Sequence, residues 1–407
     1  MEAPTATPTA AVLDRLRATI ASELPAYLAD LERLVNIDCG SYTSTGVNEV
    51  GRWVAGFLAS LGGVVESRPD PAGHLGDTVV ARFDGPRGAA RVLLIGHLDT
   101  VFDPGTAAER PFRIEDRTAY GPGVTDMKSG LLAGLYALKA LVADGGLPFE
   151  RLVFIANPDE EIGSLSSTPH IREQASSMDV TLVLECARAN GDIVSARKGI
   201  VDLRIQVNGR AAHAGVEPEK GRSAILEAAR IVRALHGLNG RWPDVTVNVG
   251  VIEGGTRPNV VAERCFLQVD VRGASRESVM AAEAEIRQIA EATQVPDTSI
   301  EFAEMARWWP MEKLARSGRL VTHARAVARS LGFEIDDAST GGASDANTTS
   351  GMGIPSLDGL GPIGGNDHSP AEYLEVDSIV PRTTLLAGLL LAIAADPEIL
   401  AWRDTGP

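Results

Sequence analysis

Cysteine is scarce: Cys39, Cys186 and Cys265 are the only three in 407 residues, and no two form a CxxC pair. So few and so scattered, they exclude a disulfide framework. Cys186 is expected to be a small packed residue. The start, Met1-Glu-Ala-Pro, lacks the basic and apolar regions of a secretory signal. The longest late apolar run, Leu385–Ala395, is too short to cross a bilayer. Positive charge is also in short supply. Lys and Arg number 38 against 54 Asp and Glu, a formal net charge of −16. That balance argues against nucleic acid or an anionic membrane as a partner. Internal repeats, low-complexity runs and coiled-coil heptads are missing as well. What remains, 44% hydrophobic and 23% charged, is the composition of a soluble globular protein. The length suggests two or three domains, and a cytoplasmic location is expected.

What is present is a set of imidazoles and carboxylates placed after apolar runs. Arg91-Val-Leu-Leu-Ile-Gly-His97-Leu-Asp99 reads as a buried strand ending in an imidazole and a carboxylate. Leu152-Val-Phe-Ile-Ala-Asn-Pro-Asp-Glu160-Glu161 reads as a second, ending in paired carboxylates. Asp126, Glu185 and His368 complete the set. Loops at the carboxyl ends of strands in an open α/β sheet converge on one crevice. Imidazoles and hard carboxylates gathered there suit Zn²⁺ or a similar divalent ion. Adjacent carboxylates cannot easily ligate the same ion, so one of Glu160 and Glu161 is free to act as a general base; the residues alone do not say which. Asp99, two residues after His97, is placed to accept the other ring N–H.

Alternating strand and helix patterns to about residue 195 predict a mainly parallel sheet with helices on both faces. A helix is expected over 11–35, broken or restarted at Pro25, after a frayed Pro- and Thr-rich segment, 2–10. The segment Gly130–Leu141 is apolar nearly all round, as a buried helix should be. From about Gly199 the rhythm becomes βαββαβ, a ferredoxin-like signature, with strands near 200–207, 245–252, 265–271 and 298–302 and helices near 221–238 and 277–293. His368 lies beyond it, so that domain is an insertion. The expected division is 1–198 and 308–407 for the catalytic domain and 199–307 for the insert. Lys128-Ser129 is not part of a P-loop, because Met127 and Pro122 occupy both required glycine positions. His74, His170, His236 and His323 carry no motif and are expected at the surface or in packing.

The stretches Gly96-His-Leu-Asp-Thr-Val101, Gly121-Pro-Gly-Val-Thr-Asp-Met-Lys-Ser-Gly130, Asp159-Glu-Glu-Ile-Gly163, Gly209-Arg-Ala-Ala-His213-Ala-Gly215, Gly254-Gly-Thr-Arg-Pro-Asn259-Val-Val261 and Asn366-Asp-His368-Ser369 occur in a telling order. Together they resemble the M20 family of di-zinc peptidases and deacylases, and within it the glutamate carboxypeptidase group. The resemblance implies a zinc-peptidase catalytic domain with the inserted ferredoxin-like domain as lid and dimerisation surface. It implies two Zn²⁺ per chain, with Co²⁺ or Mn²⁺ as substitutes. Asp126 would bridge them, with His97 and Glu185 on one and Glu161 and His368 on the other. It makes Glu160 the base and a cis bond of Asp126–Met127. His213 would act in the partner's site as an oxyanion donor. Asn259, Arg272 and the glycine-rich loop around Gly342 would grip the free carboxylate of a small peptide or N-acyl amino acid. Arg272 could instead be a salt bridge closing the lid's strand. Arg197-Lys198 is read either as a preference for an acidic side chain or as a charged hinge. The expected activity is hydrolysis of the amide bond to a C-terminal amino acid. The alternatives are an N-acyl-amino-acid deacylase or dipeptidase with the same site and, in another class, a non-catalytic metal-linked binding protein.

Overall fold

The computed structural model describes residues 7–405, so most of the segment expected to be frayed lies outside the described residues. Two compact units divide the chain. One comprises the chain up to Ser195, then Lys313–Ser339, then Ser344 onward; the other comprises Ala196–Glu312 and Thr340–Ala343.

The first unit is built on a six-stranded sheet in the order Val64–Arg68, Thr78–Asp84, Arg151–Asn157, Arg91–His97, Val180–Val183, Ser356–Leu357. The first two junctions are antiparallel and the remaining three parallel. The central strands are buried on both faces, which is why their sequences run apolar rather than alternating. Helix Ser129–Ala143 is buried on almost every side, among Leu131, Leu135 and Leu138. Helix Ala10–Val35 runs without a break through Pro25, against the expected interruption. Its stripe of Leu16, Ile20, Tyr27, Leu31 and Leu34 is buried. Burying several such side chains at about 1.5–3 kcal/mol each outweighs the roughly 3 kcal/mol cost of an interior proline.

The late apolar run belongs to a longer helix, Val376–Ala394, of 19 residues. By length and composition alone it could cross a membrane, but 72% of its apolar window is buried in protein. It packs on helices Ala10–Val35, Ser129–Ala143 and Ala315–Leu331, as the central helix of this core.

The second unit is a four-stranded antiparallel sheet in the order Thr246–Gly254, Arg264–Gly273, Gly199–Asn208, Ser299–Trp308. Helices Ala224–His236 and Arg276–Glu291 complete the βαββαβ order. Strand Gly199–Asn208 alternates strictly, so Val201, Leu203, Ile205 and Val207 meet Ile231, Leu235, Val279 and Ile286 in a separate core. The last strand extends to Trp308, six residues past the expected end, across a register shift between Glu304 and Ala306.

Candidate metal centre

Register brings the site residues together. His97 pairs with Asn157 and Ile95 with Val183, so three parallel strands end within two residues of one level. His97, Glu160-Glu161 and Glu185 follow directly from those ends. Helix Ser129–Ala143 starts hard against the third loop. A Cβ on Gly130 would stand 1.8 Å from the carbonyl oxygen of Leu184, so only glycine fits there. Asp126 sits in the kinked segment Val124–Lys128, where its own backbone leaves the helical region (φ −112°, ψ 93°), and the Asp126–Met127 peptide bond is cis.

The two carboxylate oxygens of Asp126 face different imidazoles. Oδ1 lies 3.1 Å from His97 Nε2, and Oδ2 lies 3.1 Å from His368 Nε2. A further carboxylate stands on each side. Glu185 Oε1 is 3.7 Å from His97 Nε2, and Glu161 Oε2 is 3.1 Å from His368 Nε2. The five expected ligands therefore cluster around Asp126, with Glu185 on the His97 side and Glu161 against His368, although donor atoms of Glu161, His97 and Asp126 also lie within 4.8 Å of one another. By distance alone Glu160 also falls within 4.8 Å of donor atoms of His97 and Glu185. Hydrogen bonding separates the pair of glutamates. Glu161 is engaged with His368, whereas the Glu160 carboxylate takes no hydrogen bond or ion pair among the described residues.

His97 Nδ1 points at the main-chain carbonyl of Asp99, 3.0 Å away, with the Asp99 carboxylate further off at 3.4 Å. The ring is thus fixed with Nε2 toward the centre, by a carbonyl rather than by the expected carboxylate. The Asp99 carboxylate instead accepts the main-chain N–H groups of Glu160 and Glu161, both at 3.2 Å, and the Ser41 hydroxyl at 2.7 Å. It holds the glutamate turn in place. His368 has φ 61° and Asn366 φ 58°, a left-handed backbone that residues with a Cβ seldom adopt. Their loop is braced by the Asn366 amide on the Ala371 carbonyl and the Ser369 hydroxyl on the Asn366 carbonyl.

The electrostatics suit a cation. Burial opposes charge on His97, but Asp126 and Asp99 outweigh it and raise its pKa well above the usual value. Asp126 and Glu161 push His368 up to about 10. Burial works against ionised Asp126, yet the two imidazoles hold it below the ordinary carboxylate range. Burial raises Glu161, partly offset by His368. Burial also raises Glu160 well above normal, opposed by His97 and reinforced by Glu185. Negative charge is concentrated here, with Nε2 of both imidazoles directed at Asp126. Two imidazoles and hard oxygen donors are a set that Zn²⁺, Co²⁺ or Mn²⁺ accepts.

Further residues support the site, of which Glu372 and Arg382 carry no signature in the sequence. Glu372, 1% exposed, accepts the N–H groups of Gly123, Thr125 and Asp126 at 2.9, 2.9 and 3.1 Å. Asp345 accepts from Asn157 Nδ2 at 2.9 Å and from the Ser164 hydroxyl at 2.6 Å; its burial raises its pKa to about 7. Asp159 accepts the Ser167 hydroxyl at 2.6 Å, beneath the same turn. The buried Arg382 guanidinium donates to the carbonyls of Gly361, Gly191 and Gly359 at 3.0, 2.7 and 2.6 Å. Gly361 N–H in turn bonds the Glu185 carbonyl at 2.8 Å. The nearest sequence cue for Glu372 was its place four residues after His368.

The other candidates lie in the second unit. His213 is exposed, bridges to Val260 and accepts the Gly215 N–H at Nδ1. Asn259 is exposed, and its carbonyl accepts the Ala214 N–H, so the two segments are tied. Arg272 Nε bonds both oxygens of Asp270 at 3.1 Å, and Nη1 bonds the Gly341 carbonyl at 3.1 Å. Arg272 is thus both the salt bridge weighed above and an anchor for the glycine loop. Arg197 Nη1 holds the next carbonyl, of Gly342, at 3.1 Å.

Comparison with known proteins places this geometry in context. The sequence pattern of peptidase family M20/M25/M40 matches residues 93–392. Carboxypeptidase G2 from Pseudomonas sp. (strain RS-16) is 31% identical over 377 residues, covering 92% of this chain and 90% of that protein. A succinyl-diaminopimelate desuccinylase from Dechloromonas aromatica is 27% identical over 324 residues, covering 75% and 84%. Among solved structures, the aminopeptidase PepT from Bacillus cereus superposes with a TM-score of 0.78 at 25% identity, covering 91% of this chain and 99% of that one.

Proposed function

The chain belongs to peptidase family M20/M25/M40 and is a metal-dependent hydrolase of the metallo-carboxypeptidase and amidohydrolase type, and from that premise we propose that it removes a C-terminal amino acid, glutamate foremost, from a small peptide or N-acyl amino acid. The observation that carries the reading is Asp126, whose oxygens each face one imidazole at 3.1 Å with Glu185 and Glu161 beyond. His97, Asp126 and Glu185 would hold one divalent ion, and Asp126, Glu161 and His368 a second, with Zn²⁺ the resident metal. Such ions supply Lewis acidity toward the scissile carbonyl and toward water.

Glu160 moves the proton. Its carboxylate, raised by burial and without a side-chain partner among the described residues, takes a proton from the attacking water and returns it to the leaving nitrogen. Asp99 keeps Glu160 and Glu161 on their separate tasks through their main-chain N–H groups. Arg272 offers the substrate carboxylate its Nη2 edge, because Nε and Nη1 are engaged by Asp270 and Gly341. Asn259 and the loop at Gly342 share that task. His213 serves the site of a second subunit in a homodimer, donating to the developing oxyanion. A purely binding role is disfavoured by Glu160, which neither half-site needs as a ligand.

The test is amino acid release from a panel of N-acylated glutamate, alanine, lysine and amino acid amides, beside a tripeptide with a free amino terminus. Release from acyl-glutamate, lost on amidation of its α-carboxylate, is the expected result. Cleavage of the tripeptide's first residue alone, as an aminopeptidase would give, overturns the proposal.

A further inference from the structure

Glu372 is a charged side chain buried where no fold requirement accounts for it. Strand Tyr373–Glu375 pairs with Thr118–Tyr120, with Tyr373 opposite Tyr120. That register sets the preceding residue, Glu372, beside the loop that runs from Gly121 to Asp126. Oε2 accepts from Gly123, and Oε1 accepts from both Thr125 and Asp126. No Lys, Arg or His forms an ion pair with it among the described residues, and its nearest charged neighbour of note is another carboxylate, Asp126. Burial of a carboxylate without a cation is costly, and three amide donors repay only part of that cost. The charge makes sense if cations stand close by.

We propose that Glu372 is a positioning residue that couples the two metal half-sites, by clamping the main chain on both sides of Thr125 so that Asp126 presents one oxygen to each. The inference rests on the two-ion reading given above. It follows from where the clamp acts. Glu161 and Glu185 each serve one half-site, but Asp126 serves both, so a change in its backbone is felt twice. The same short segment, 366–372, also supplies His368 to the Oδ2 side. One loop therefore delivers a ligand and fixes the bridging residue. Glutamine at position 372 keeps the shape but only one acceptor oxygen, and its NH₂ group would confront an N–H donor. It also removes a negative charge near both ions.

The experiment titrates Zn²⁺ into metal-free wild type, Glu372→Gln, Glu161→Gln and Asp126→Asn in the presence of a competing chelator, with Co²⁺ absorption as a second readout. Supporting partners of metal ligands typically contribute about 10–100-fold in affinity. Glu372→Gln is expected to raise both dissociation constants by about that factor, in the pattern of Asp126→Asn, whereas Glu161→Gln raises one. Metal-free thermal stability is expected to fall less than the stability of the metal-loaded protein does, whereas a merely structural clamp would lower both equally. Glu372→Asp, which keeps the charge one methylene short, should weaken both ions by less and serves if the glutamine variant does not fold. Wild-type constants in a folded Glu372→Gln protein overturn the proposal, and so does weakening of one ion alone. A wild type that binds fewer than two ions refutes the two-ion reading itself, and this inference with it.

Discussion

Replacing Glu160 with glutamine isolates the proton-transfer role from everything else the site does. The amide has the shape of the carboxylate, and Glu160 makes no side-chain hydrogen bond or ion pair among the described residues whose loss would confuse the outcome. Burial already disfavours its charged form, so a neutral side chain should leave the metal-free fold as stable as before, or more so. Glutamine cannot take a proton from water. A positioned general base contributes about 10²–10⁴-fold, which at roughly 1.36 kcal/mol per tenfold is about 2.7–5.5 kcal/mol of barrier. Steady-state kinetics on acyl-glutamate should show kcat lower by that factor with KM little changed, and metal analysis should find wild-type content. The neighbouring change gives the contrast. Glu161→Gln breaks the 3.1 Å contact with His368 and should lower metal content. A Glu160→Gln enzyme within about tenfold of wild type, with both ions in place, would refute the assignment. If Glu161→Gln then abolished turnover without metal loss, the two roles would be exchanged.

Two further outcomes follow from other parts of the molecule. Mixing Glu160→Gln with His213→Ala under conditions of subunit exchange should restore part of the activity, because one site of the mixed dimer combines an intact Glu160 with a donated His213; confirmed exchange without activity would show that each subunit works alone. Asp396 is held at a pKa of about 2 because Arg319 and His323 outweigh its burial. A carboxylate depressed in the folded state stabilises above its unfolded value, near 4, and that contribution fades as pH falls toward 2. Asp396→Asn, which weakens charged hydrogen bonds of about 1.5–3 kcal/mol each, should therefore destabilise the chelator-treated protein by about 3 kcal/mol at pH 6 and by about half of that at pH 3. Urea melts showing the same gap at both pH values would contradict this account.

The readable parts of the sequence were those with a period or a fixed spacing. Strands Arg91–His97 and Arg151–Asn157 announced themselves as apolar runs, and the candidate ligands lie at or just beyond their ends. The strict alternation of Gly199–Asn208 marked a new sheet. The last strand of that sheet was read too short because Glu304–Ala306 breaks register and its residues are largely exposed, which erases the alternation. Pro25 misled because local propensity yields to the burial of a whole helix face. Glu372 and Arg382 escaped notice for another reason, and Asp345 was read only as the end of the glycine-rich loop. Each is an isolated charge in a polar or apolar context, and its partners are main-chain groups or distant side chains that come near only in the fold.

The division of the metal-bearing unit into separated stretches of chain has a consequence for its birth on the ribosome. When the first 195 residues have emerged, four of the five half-site ligands are already present, but the sheet lacks strand Ser356–Leu357 and His368 has not been made. Helices Ala10–Val35 and Ser129–Ala143 still wait for Val376–Ala394, the helix on which both pack. The sheet and two helices of the second unit are contiguous in the chain and can form during this interval, with only Thr340–Ala343 to be added later. The unit begun first is thus finished last. Its apolar faces stay uncovered until synthesis is almost complete, which makes the nascent half-unit the natural client of a chaperone.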